Sequence, residues 1–356
     1  MALQTKFVYV DTQSFVKANL DFESRTIKAF AQACAEDDLE HLMTTITVRE
    51  VKKKIEGNID EGLNSILQFR RKAKILEIST DEVVKGFFAQ FDKAAVHAGA
   101  QKAFEDFLDD SKTTTVDLKA VDAEQVFDMY FNRRAPFGDG KKKSEFPDAF
   151  SLLAVRAHID KQEVYVVSQD EDLIRFCNEN EGFIHVDVLE KVLDILNSHE
   201  SERAKFIKDY FTGHDAEIKE RIKEKVNGAE VYNVSTWEDA EVIDHEVVEV
   251  GEFDPNIVAI DDESCEVSFD VDVKYRVKVS GPDTASAIWD KEAGHMYTFD
   301  EITREEVKKM NFGVEISLFF EVLDGKFEMG DVDIDIKGIH RGIEVSVEEY
   351  PDWDGR

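Results

Sequence analysis

Positive charge is what this chain has least of: 44 Lys and Arg stand against 77 Asp and Glu in 356 residues, a net charge of −33. So acidic a balance argues against a general polyanion binder, because phosphate recognition ordinarily needs a basic footprint. Long apolar runs are missing as well. No stretch approaches the roughly 20 residues needed to cross a bilayer, so no membrane role is expected. Within residues 1–12, FVYVD is too short for a secretory signal and runs straight into an acid. Cysteine is scarce: Cys34, Cys177 and Cys265 are scattered, odd in number and without metal-ligand spacing. They read as small buried hydrophobes in a reducing, cytoplasmic setting. The sequence also holds no Gly-rich phosphate loop, no helix-turn-helix, no internal repeat and no paired histidine spacing.

What is present is unevenly spread. Residues 1–200 carry 26 Lys and Arg against 37 Asp and Glu, whereas residues 201–356 carry 18 against 40. The front half therefore holds most of the scarce positive charge. It bunches at Lys52–Lys54, at Arg70–Lys74, and at Arg133, Arg134, Lys141, Lys142 and Lys143. Each bunch is also what a solvated helix face looks like. The last one lies just before Asp148 in sequence and so has the best claim to substrate contact.

Residues 1–199 alternate strand-like and helix-like stretches. FVYV, TTITV, VYVVS and FIHV read as short strands, and the intervening segments show helical periodicity, with separate helices around 49–56 and 60–73 followed by KILEIS (74–79) as a connecting extended segment. Strands separated by helices predict an α/β parallel sheet. A charged helix over 200–228, interrupted at Gly213, reads as a linker. Residues 229–356 change to period-two alternation, with turn signals at Gly281-Pro282 and Asp324-Gly325. They predict an acidic antiparallel β-rich domain of α+β type, with one helix near 300–310. The acids of DVDID (331–335) read as outward strand positions, since the segment lacks the Gly and terminal Glu of a calcium loop.

Four acids stand out: Asp11 closing FVYV, Glu50 after TITVR, Asp148 in EFPDAF, and Asp170 in VYVVSQD. In open parallel sheets, chemistry collects beyond the carboxyl ends of the strands. Carboxylates placed there suit a hard divalent cation, Mg²⁺ or Mn²⁺, because both take oxygen ligands. One or two ions are equally compatible with the spacing. Without a cation, two like charges ~5 Å apart repel by about 3 kcal/mol at an effective dielectric of ~20. The bland readings compete: Asp11 and Asp170 as helix caps, Glu50 and Asp148 as first-turn acids favoured by the helix dipole.

VYVDTQSF resembles the opening strand of PIN-domain nucleases, and TVREVKKKI resembles their second-strand-to-helix junction with its Glu. KSEFPDAFSLLAV and VVSQDEDL are similar to the third and fourth motifs, in the family's order. The resemblance covers residues 1–200 and does not reach the β-rich domain. It implies a PIN-like fold with Asp11, Glu50, Asp148 and Asp170 as metal-site acids and Asp172 as an auxiliary one. Thr12 and Ser168 would orient carboxylates or waters. Gln13 departs from the Asn common at that place, and the stretch from Glu50 to Asp148 is longer than in compact members, so extra helices are inserted there.

The expected function is a metal-dependent endoribonuclease hydrolysing phosphodiester bonds in RNA, compatible with a toxin or defence effector. The β-rich domain would serve a protein partner or self-association. Two other readings stand beside it. One is a PIN-like interaction module with idle acids; the other is a flap-type DNA nuclease or phosphatase.

Overall fold

The structure, a computed structural model, describes residues 3–138, 145–198, 201–290, 295–323 and 326–350. The chain divides into two compact units, Met1–His199 and Glu200–Arg356.

The first unit is built on a five-stranded, all-parallel sheet: β1 (Phe7–Val10), β2 (Glu40–Thr44), β3 (Thr114–Val116), β4 (Val164–Val167) and β5 (Phe183–Val186), in spatial order β3-β2-β1-β4-β5. Val8, Tyr9 and Val10 of β1 and all four residues of β4 are buried. Near-continuous apolar runs are what a parallel sheet covered on both faces requires. Chain order reverses between β1 and β4, so the crevice beyond their carboxyl ends is the switch point of the fold.

Helices α1 (Thr12–Lys17), α2 (Arg25–Ala35), α3 (Thr45–Lys72), α4 (Glu82–Phe88), α5 (Lys93–Asp110), α6 (Ala123–Phe131), α7 (Phe146–Ile159), α8 (Glu171–Glu179) and α9 (Leu189–Asn197) complete the unit. Two of them differ from expectation. TTITV is not a strand: β2 is EHLMT, and Thr44 caps α3 by accepting the Thr47 amide at 3.1 Å. Such a cap stabilises a helix by about 1 kcal/mol, and α3 then runs unbroken for 28 residues where two shorter helices are expected. KILEIS, expected as extended, forms a 3₁₀ turn over Lys74–Ile78. α7 buries most of its surface, including Leu152 and Val155 at zero exposure. Each such side chain contributes roughly 1.5–3 kcal/mol, which fixes the helix that carries Asp148.

The second unit opens with α10 (Glu202–Gly213) and α11 (Asp215–Asn227). Their apolar positions, Ile207, Phe211, Ile218, Ile222 and Val226, share one core with the sheet behind them. The segment expected as a linker thus clusters with the second unit, because its i, i+4 apolar stripe needs a surface to cover. The strands are β6 (Val231–Asn233), β7 (Glu241–Val250), β8 (Asn256–Ile260), β9 (Ser264–Pro282), β10 (Ile288–Asp290), β11 (His295–Tyr297), β12 (Glu301–Leu323), β13 (Lys326–Ile336) and β14 (Ile343–Val345). The main sheet is antiparallel, in order β13-β12-β9-β7, with β8 also on β9.

β12 and β13 pair out to Leu323 and Lys326, although Asp324 and Gly325 themselves lie outside the described residues. Asp331, Asp333 and Asp335 are exposed while Ile334 and Ile336 are buried. The helix expected near 300–310 is instead part of β12. Residues 301–310 pair in unbroken register with β9, and that long hairpin overrides the local helix propensity of Glu and Lys. Gly281-Pro282 is likewise not a turn but the end of β9.

Candidate active site

Asp11 follows the last residue of β1, and its backbone N–H still reaches Val167 O of β4 at 3.0 Å. The ladder therefore extends one residue past the strand and fixes Asp11 at the switch point. Its Oδ2 accepts the Ser168 hydroxyl at 3.2 Å, and Ser168 Oγ in turn accepts the Asp170 amide at 3.0 Å. Ser168 is wholly buried. One hydroxyl thus joins the ends of β1 and β4 to the start of α8. Asp170 caps α8, with Oδ1 accepting the amides of Asp172 (2.7 Å) and Leu173 (3.3 Å). Both bonds fall on the same oxygen, so the cap leaves the second oxygen uncommitted.

Glu50 lies in the second turn of α3, where its Oε2 accepts the Thr12 hydroxyl of α1 at 3.0 Å. Asp148 is in the first turn of α7, with Pro147 beside it. Pro suits that place because its missing N–H would have no helical partner. Under the acids runs a buried hydroxyl chain. Tyr9 Oη meets Thr47 Oγ1 at 3.0 Å, Thr47 meets Thr44 at 2.9 Å, and Thr44 meets Ser151 at 2.9 Å. Tyr9, Thr47 and Ser151 lie two or three positions from Asp11, Glu50 and Asp148, and with Thr44 they tie β1, β2, α3 and α7 together.

Asp11, Glu50, Asp148 and Asp170 line one open cavity of about 850 Å³, together with Lys17, Lys53 and Lys54. The electrostatics record their proximity. Burial pushes the Asp148 carboxyl up to about 8, with the charges of Asp11, Glu50, Glu145 and Asp170 adding to it. Burial also lifts Asp11 to about 6; the Ser168 hydroxyl opposes this and the Asp170 charge reinforces it. Tyr9 is raised too, first by burial and then by Asp11. Among the described residues, however, no three Asp, Glu, His or Cys side chains stand close enough together to hold a metal ion.

Other expected site residues fall elsewhere. Asp172 is not on the cavity wall; its carboxylate pairs with Arg175 at 3.1 Å, and Arg175 also donates to Pro136 O and Phe137 O. It anchors a loop to α8. Arg133 follows α6 with a left-handed backbone (φ 52°), and Arg134 pairs with Asp128; neither lines the cavity. Lys141, Lys142 and Lys143 lie outside the described residues. The cations that do reach the cavity were legible in one respect. Lys53 and Lys54 sit three and four residues after Glu50, the spacing that puts side chains on one helical face. Lys17 bonds to Gln169 Oε1 across the mouth. Gln13, where the family commonly has Asn, also lines the wall.

Comparison with known proteins supplies the family. No curated protein and no solved structure gives a match to this chain. No helix among the described residues is long and apolar enough to cross a membrane. Residues 8–173 match the family model described as the PIN domain, a nuclease-type fold whose members generally act on nucleic acid with Mg²⁺ or Mn²⁺. That match spans all four acids and four of the five parallel strands, so residues 8–173 form a PIN domain.

Proposed function

We propose that the N-terminal unit is a metal-dependent endoribonuclease. The observation that carries this reading is the gathering of Asp11, Glu50, Asp148 and Asp170, from four separate segments, around one cavity at the switch point of the sheet. The donor set is all carboxylate oxygen, the chemistry a hard divalent cation takes. Burial first, and then the neighbouring acids, raise the Asp148 carboxyl, and a bound cation would lower it. Asp11, Glu50, Asp148 and Asp170 would hold Mg²⁺ or Mn²⁺, which when bound activates a water and offsets charge on the leaving oxygen. Thr12 and Ser168 orient two of the carboxylates. Lys17, Lys53 and Lys54 supply local positive charge for a phosphate in a molecule whose overall field repels one.

One observation favours a second reading, an interaction module with idle acids: the carboxylates do not meet at ligand distance. A single experiment separates the two. Full-length protein is incubated with single-stranded RNA, single-stranded DNA and a phosphomonoester in Mn²⁺, beside Asp11→Asn. Cleavage of RNA that the substitution abolishes is expected. Cleavage by neither protein points to the module, and preference for DNA or the monoester replaces the ribonuclease reading.

A further inference from the structure

We infer that the exposed face of α3 is a track for the single strand that enters the acid cavity; this deepens, and rests on, the nuclease reading. Only Thr47, Val51 and Ile55, in its first three turns, are buried. The helix nevertheless continues to Lys72, far beyond what packing on the sheet requires. One edge of it, through Lys53, Lys54, Gly57, Asn58 and Glu61, forms part of the cavity wall. The same edge continues at three- and four-residue steps through Ser65 and Gln68 to Arg71 and Lys72. All of these positions are exposed.

The opposite edge is occupied. Ile59, Leu63 and Ile66 are half-buried, Asp60 pairs with Lys93 (2.8 Å) and His97 (2.9 Å), and Arg70 donates to the backbone carbonyls of Phe87 and Ala89. The inserted helices thus cover one side and leave the polar side bare. In a chain with 77 acids and 44 Lys and Arg, cations usually find an acid: Lys52 pairs with Glu105 and Lys102 with Asp106. Among the described residues, Lys53, Lys54, Arg71 and Lys72 are in no ion pair.

Unpaired cations at both ends, with Asn58, Ser65 and Gln68 between them, suit phosphates held at two points and bases or sugars met in the middle, away from the one acid on this edge, Glu61. The 18 positions from Lys54 to Lys72 span ~27 Å at 1.5 Å per residue. A strand would need about eight nucleotides to cover that length when stacked at 3.4 Å, or about four at twice that spacing. The rival explanation is that Arg71 and Lys72 only complement the negative end of the helix dipole.

The test uses the full chain carrying Asp148→Asn, so that substrate is not consumed, with and without Arg71→Ala and Lys72→Ala. Binding of fluorescent oligoribonucleotides of 3 and 12 residues is titrated against salt. The double change is expected to weaken the 12-mer about tenfold at 50 mM salt and to leave the 3-mer unchanged. It should also flatten the slope of log affinity against log salt by about 1.4, two contacts at ~0.7 each. Unaltered 12-mer binding with a lowered melting temperature would assign the two cations to the dipole and overturn the track. Tight 12-mer binding that depends on them, in a chain whose unsubstituted form cuts no RNA, would keep the track and sink the nuclease reading.

Discussion

The Tyr9 hydroxyl lies 3.0 Å from the Thr47 hydroxyl, both of them buried, and Thr47 passes the contact on to Thr44 and Ser151. The two ends of this chain behave differently when cut. Tyr9→Phe removes a hydroxyl but leaves Thr47 bonded to Thr44, so only a net hydrogen bond is lost, about 0.5–1.5 kcal/mol. Thr47→Val leaves the Tyr9 hydroxyl only its Ser151 contact and also removes the Thr47–Thr44 bond, which together cost about 1–3 kcal/mol. Urea denaturation should therefore rank Thr47→Val as the more destabilising. Equal midpoints for the two would mean that the Ser151 contact alone satisfies the Tyr9 hydroxyl.

The raised carboxyls set a pH dependence for the metal-free protein. Asp148 sits at about 8 against an ordinary 3.8, and Asp11 at about 6. Between the unfolded and folded values the native state binds more protons than the unfolded chain, so stability falls as pH rises. The loss begins near pH 4 and is complete above pH 8. The excess acid elsewhere in the chain pushes in the same direction, so the informative quantity is a difference. In EDTA, Asp148→Asn should raise the melting temperature over the unsubstituted protein at pH 8 and change it little at pH 4. Mn²⁺ should stabilise the unsubstituted protein more at pH 8 than at pH 5, since protons and cation compete for the same oxygens. A melting temperature indifferent to EDTA at pH 8 would contradict the proposed site.

Asp170 has a structural duty and a proposed chemical one, and two substitutions divide them. Asn keeps an oxygen for the amides of Asp172 and Leu173, so Asp170→Asn should alter stability by only a few tenths of a kcal/mol. Asp170→Ala loses the cap and should cost about 1 kcal/mol. RNA cleavage should fail in both. If Asn retained full activity, the cap would be the whole of this residue's role.

The strand-end acids were legible because FVYV and VYVV are fully apolar and stop abruptly at polar residues, as a buried parallel strand must. Glu50 and Asp148 were not legible that way. They sit in ordinary early helical turns, and only the order of the four motifs singled them out. β2 hid for a physical reason: EHLMT carries a histidine, yet His41 is buried with Nδ1 2.7 Å from the Thr113 hydroxyl and its ring among Phe15, Phe30 and Phe107. Tertiary partners make a strand there that local pattern does not announce. Nearness in sequence is also distinct from nearness in the fold. Arg133 and Arg134 precede Asp148, but the cavity wall is completed by Lys53 and Lys54, brought round by the turn of α3.

Gly281 shows the same limit in the second unit, and it can be tested. Read beside Pro282 it looks like a turn, yet it lies in β9 opposite Ile302 of β12. A Cβ there would stand 2.6 Å from the Ala240 side chain and 2.7 Å from the Trp237 ring. Trp237 is buried, and its indole N–H donates to Pro282 O at 2.9 Å, so the ring cannot retreat without losing that bond. Gly281 is a contact requirement, not a conformational one. Gly281→Ala should therefore destabilise the second unit by roughly 1–3 kcal/mol, the range for overpacking a filled core. Changing Trp237→Leu in the same chain should relieve the ring contact, though not the one with Ala240, so the pair of substitutions should cost less than the sum of each alone in chemical denaturation. Strict additivity would show that the ring does not impose glycine at this position.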